Sequence, residues 1–117
     1  MADDSPSRRK SLAFAKRVVD LYRYLCEQKK EYVLSKQLLR SGTSIGANLA
    51  EAQYGSSRKD FLNKVYIALK ECGETLYWLE LLYLCSYLNE AEYRSMNQDC
   101  EELRRILASI TYTVKNE

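Results

Sequence analysis

The chain, 117 residues long, predicts an all-α fold: an antiparallel up-down-up-down four-helix bundle. Three observations carry that reading. Apolar residues recur at three- and four-residue spacing in four separate segments, and no useful run alternates with the two-residue period of a strand. Only a few residues connect the segments, which favours antiparallel neighbours. With one proline and four glycines, little in the chain interrupts helices.

The first segment predicts a helix over 6–29. Ser5 can cap it and Pro6 suits its first position. Phe14, Val18, Leu21 and Leu25 face the core, while Arg8, Arg9, Lys10, Lys16, Arg17 and Arg23 form an exposed basic face. The second helix is expected over 32–54, with Gly55 ending it in a left-handed conformation. Gly42 and Gly46 inside it cost about 1 kcal/mol each against alanine. The apolar stripe from Leu34 through Leu38, Ser41, Ile45 and Leu49 to Ala52 nevertheless keeps its phase. The segment is therefore read as helix, and the glycines as places where a neighbouring backbone approaches closely.

The third helix is expected over 58–87, started by Ser57 with Asp60 in a capping-box-like pattern. Phe61, Val65, Ala68, Cys72, Thr75, Leu79 and Leu82 form its heptad seam. Its end, LYWLELLYLCSYL, is apolar nearly all round and must be covered on more than one side. The fourth helix is expected over 89–115, with Asn89 and Glu92 as a capping box and Tyr93, Met96, Cys100, Leu103, Leu107, Ile110 and Val114 as its seam. The domain plan is one bundle over 6–117 behind a disordered tail over 1–5.

Beside the apolar stripe of the second helix lies a polar one. Gln37, Arg40, Ser44, Asn48 and Glu51 fall within an arc of about 80°. On the third helix, Glu71 and Glu74 share a face with Ile67, Trp78 and Leu81, a partly apolar setting in which a carboxylate wants a donor or a cation. Two arrangements satisfy them. Arg40, with Ser44, Asn48 and Glu51, makes an interhelical polar network, or Lys64 and Lys70 pair with the glutamates at the surface.

Composition excludes much chemistry. There is no histidine, so nucleophilic catalysis with a histidine base is ruled out, as is the Glu-x-x-His ligand set of di-iron bundles. GTSIGA lacks the lysine of a phosphate-binding loop. The four cysteines, 26, 72, 85 and 100, form no CxxC pair and are read as reduced thiols, with Cys72 and Cys100 on apolar seams. No enzyme activity, metal, cofactor or small-molecule substrate is expected. No apolar run is long enough to cross a membrane, and the N-terminus lacks the apolar core of a secretory signal, so the cytoplasm is the expected location.

Net charge is +2, unevenly placed. Residues 1–70 carry 14 Lys/Arg against 7 Asp/Glu, and residues 71–117 carry 4 against 9. Either the basic half faces a polyanion, or the two halves complement each other within or between protomers. Arg8, Arg9, Lys10, Lys16 and Arg17 are the candidate phosphate contacts. The ten tyrosines are read as rings packed near apolar seams with wetted hydroxyls rather than as base-stacking platforms.

QLLRSGTSIGANLAEA, followed by DFLNKVYIALKECGETLYWLELL, resembles a bacterial four-helix-bundle family. That family includes proteins encoded in intervening sequences of large-subunit ribosomal RNA genes, and a related branch is the accessory variability determinant (Avd) of diversity-generating retroelements. The resemblance covers about residues 12–115. It is carried by Gln37, Leu39, Arg40, Ser44, Ile45, Asn48 and Glu51, and by the run from Ala68 to Leu79. It implies a homopentamer and, for the Avd branch, binding of nucleic acid and a reverse transcriptase. The modest charge and acidic C-terminal half of this chain depart from that branch. Two function classes follow: an oligomeric adaptor that binds RNA, DNA or a nucleic-acid enzyme, and a purely protein-binding assembly module. In both, Gly42, Gly46, Tyr77, Trp78 and Leu81 are the expected contacts between protomers.

Overall fold

The computed structural model describes residues 5–116. Four helices run in chain order: α1 over Pro6–Glu27, α2 over Leu34–Ala52, α3 over Arg58–Leu84 and α4 over Glu90–Lys115. Each packs against the next, and α4 closes back on α1 along the thinnest of the four seams. The diagonal pairs α1/α3 and α2/α4 do not meet. This is the expected up-down-up-down bundle, an elongated body of 46 × 22 × 20 Å.

The expected stripes form the core. Phe14, Val18 and Leu25 of α1, Leu38 and Ile45 of α2, Val65, Cys72 and Leu79 of α3, and Cys100, Leu103 and Leu107 of α4 are buried in one cluster. The heptad of α3 also buries a hydroxyl. Thr75 Oγ1 lies 2.9 Å from Ser41 Oγ of α2 and 2.8 Å from the Glu71 carbonyl, so it is satisfied without water.

The start signals act as read. Ser5 Oγ accepts the Arg8 N–H, Ser57 Oγ accepts that of Asp60, and Asn89 and Glu92 exchange both bonds of a capping box. Ser5, assigned by sequence to the tail, is thus the N-cap of α1; the rest of that tail lies outside the described residues.

Helix ends differ from expectation by one to three residues. α1 stops at Glu27 because Lys30 takes a left-handed φ of 55° and the Glu31 N–H turns back to the Leu25 carbonyl. α3 stops at Leu84 because Ser86, φ 68°, lets the Tyr87 N–H reach the Leu82 carbonyl in a Schellman-type closure. Gly55 is not left-handed, correcting the expected terminator of α2. Its missing side chain serves the tight entry to α3, where a Cβ would stand 3.2 Å from the Phe61 nitrogen.

α2 begins at Leu34, two residues later than expected. Val33 offers no capping side chain. The buried Glu31 replaces it from outside the helix: Oε2 accepts the N–H groups of Val33 and Leu34 at 3.1 and 2.9 Å, and Oε1 that of Ser35 at 2.6 Å. Burial alone pushes this carboxyl up, but the donated N–H groups outweigh it and hold it below the ordinary glutamate range.

Candidate assembly and nucleic-acid surfaces

Five cations between residues 8 and 17 mark α1 as the candidate phosphate-binding helix. The fold gives three of them partners. Lys10 Nζ lies 3.1 Å from Glu102, and Arg17 reaches Asp99 at 2.6 Å and the Ser95 hydroxyl at 2.9 Å, both across the thin α1/α4 seam. Lys16 pairs with Asp20 one turn along its own helix at 2.9 Å. Arg8 is half-buried and Arg9 exposed. The basic and acidic halves of the sequence therefore meet within one chain, at the seam where apolar packing is thinnest. A phosphate arriving on this face competes with carboxylates already in place.

The polar stripe of α2 does not converge on a buried network. Arg40 Nη2 lies 3.4 Å from Glu74 Oε1, with the two side chains 62% and 38% exposed. Ser44 donates to the Arg40 carbonyl and Asn48 to the Ser44 carbonyl, both in their own helix. Glu51 pairs with Lys64 at 2.8 Å. Each side chain finds its nearest partner, either one turn back along the backbone or across α3 near the surface. An exposed ion pair contributes about 0–1 kcal/mol. Arg40→Ala is accordingly expected to lower the unfolding free energy by less than about 1 kcal/mol in urea titration. A loss of about 3 kcal/mol would show that the pair is far more enclosed than its exposure indicates.

Glu71 is the residue this arrangement leaves out. It is 7% exposed, Oε1 is sealed from solvent, and its carboxylate takes no hydrogen bond or ion pair among the described residues. Trp78 Nε1, two turns on, is also buried without a partner.

The residues expected between protomers divide. Gly42 and Gly46 are occupied within the chain: a Cβ at 42 would meet Val18 at 2.8 Å, and one at 46 would meet Ser11 at 3.3 Å. The glycines let α1 lie close on α2, and that face is filled. Tyr77 is exposed, Trp78 and Leu81 are half-buried, and the Tyr77 and Trp78 rings meet edge to face at 5.0 Å. A second apolar surface escaped the sequence reading. Leu12, 63% exposed, lies with Val19 on the outer side of α1 between Lys16 and Arg23. Its 4-3-4 spacing, opposite the core stripe, was the signal.

Nothing here assembles chemistry. No group of metal-ligating side chains converges among the described residues. Cys72 and Cys100 are fully buried. The neighbouring Cys72 thiol and burial push the Cys100 thiol up, so it stays protonated. No helix is long and apolar enough to cross a membrane.

Comparison with known proteins places this geometry. The family model described as 23S rRNA-intervening sequence protein matches residues 4–109. A crystal structure from Bacteroides thetaiotaomicron VPI-5482, of a protein with unknown function from the S23 ribosomal protein family, is similar at 53% identity and a TM-score of 0.89, covering 90% of this chain and 97% of that one. No curated protein matches.

Proposed function

Because the chain belongs to the 23S rRNA-intervening sequence protein family, we propose that it acts as a non-enzymatic, self-assembling adaptor in the cytoplasm, with a closed ring of five as the expected form. The observation that carries this reading is the pair of apolar surfaces left open on different sides of the bundle, Leu12 with Val19 on α1 and Ile67, Tyr77 and Leu81 on α3. Apolar patches of this kind on a small soluble domain mark association surfaces. Two unlike faces suit a heterologous contact, which closes into a ring when the rotation between copies allows. Five, rather than another number, rests on the family resemblance. Size-exclusion chromatography with light scattering tests both parts. The expected mass is five times 13.6 kDa; a monomer overturns self-assembly, and a dimer or tetramer overturns the ring of five.

A second reading, an adaptor that binds RNA or DNA, or a reverse transcriptase acting on them, is favoured by the clustering of Arg8, Arg9, Lys10, Lys16 and Arg17 on one helix. Replacing these five with Gln should weaken binding to structured RNA and flatten its salt dependence by about 0.7–0.9 per lost phosphate contact. Because Lys10 and Arg17 already bridge to α4, the slope change is expected to come mainly from Arg8, Arg9 and Lys16. No binding by the parent protein at low salt rejects this reading.

A further inference from the structure

We infer that Glu71 is the receptor for the Arg23 guanidinium of a second copy, the outer stripe of α1 on one copy lying against the α2-facing edge of α3 on the next. This rests on the self-assembly reading and names the contact. A carboxylate this deeply buried costs free energy unless a cation or donors compensate it, and the chain supplies neither. The nearest cations are engaged: Arg40 with Glu74 and Lys64 with Glu51. Arg23 is the converse case, an exposed guanidinium with no ion pair or hydrogen bond among the described residues.

The two stripes match in length and order. Leu12, Lys16, Val19 and Arg23 follow a 4-3-4 spacing along one line of α1, and Ile67, Glu71, Glu74 and Trp78 follow the same spacing on α3. Each spans about 16 Å of helix. One carries two apolar side chains and two cations, the other two apolar side chains and two acids. α1 and α3 are diagonal in the bundle and do not meet, so one chain cannot satisfy itself. The complement has to come from another copy, and every copy offers both halves. The planar fork of Arg23 suits a carboxylate in a partly apolar setting.

Two measurements test this. Glu71→Gln removes an uncompensated charge from the lone chain. The melting temperature of the dilute monomer should hold or rise while self-association weakens tenfold or more. A lowered melting temperature with unchanged association would make Glu71 a purely internal residue and overturn the inference. In the second, Lys16→Glu/Arg23→Glu disables the α1 stripe and Ile67→Lys/Glu71→Gln the α3 stripe, with helicity checked by circular dichroism. Each variant alone should run as a monomer. Their mixture should give a heterodimer of about 27 kDa, twice the chain mass, through the one intact pair of faces. A mixture that stays monomeric overturns the pairing of these faces, as does assembly by either variant alone. A wild-type chain that never assembles defeats the self-assembly reading as well, a result distinct from the other two.

Discussion

Glu31→Ala is expected to lower the stability of the protein by about 2–3 kcal/mol. Loss of an N-cap side chain typically costs about 0.5–2 kcal/mol, and hydrogen bonds to a charged group are worth more than neutral ones. Here one buried carboxylate receives three backbone N–H groups at the start of α2, and Val33 provides no substitute. Glu31→Gln, keeping one acceptor oxygen but no charge, should lose less. The effect carries a pH signature. The carboxyl of the folded chain lies below its ordinary range, so its contribution is complete above the unfolded value of about 4.3 and disappears as pH falls through the lower folded value. The difference between wild type and Glu31→Ala should therefore be constant near neutrality and shrink under acid. Urea titrations at pH 7 and at about pH 3 measure it. A loss below about 0.5 kcal/mol at pH 7 would show that water caps α2 as well as Glu31 does.

Gly42→Leu is expected to cost about 3 kcal/mol or more and to loosen α1 from the bundle. The space a Cβ would need is taken by both γ-carbons of Val18, at 2.8 and 2.9 Å. Val18 is fully buried and β-branched, so it cannot swing aside. Overpacking of such a site costs about 1–3 kcal/mol and more for a long side chain. Gly42→Ala meets the same clash but gains about 1 kcal/mol of helix propensity, leaving a net loss of up to about 2 kcal/mol. Gly73 is the internal control: nothing lies within 4 Å of its missing Cβ, so Gly73→Ala should stabilise by up to about 1 kcal/mol. If thermal melts rank Gly42→Ala at or above Gly73→Ala, the close α1/α2 packing is refuted.

The four helices, their core stripes and three of their caps were readable before any coordinates, because each depends on residues less than two turns apart. A 3.6-residue period decides which side chains share a face, and Ser5, Ser57 and Asn89 act on N–H groups three residues away. The fourth cap was not readable, since Glu31 works from an irregular loop that no helical spacing describes. The close approach permitted by Gly42 and Gly46 was legible in kind, but which neighbour uses it depends on the rotation of each helix about its axis, which only packing sets. The charge asymmetry between halves was plain in the sequence; its resolution into Lys10–Glu102 and Arg17–Asp99 required α1 and α4, more than 80 residues apart in the chain, to be neighbours. The polar stripe shows the limit most clearly. Periodicity lined up Arg40, Ser44, Asn48 and Glu51 and set Glu71 opposite them, but side-chain reach took each of the four to a nearer partner and left Glu71 buried and alone.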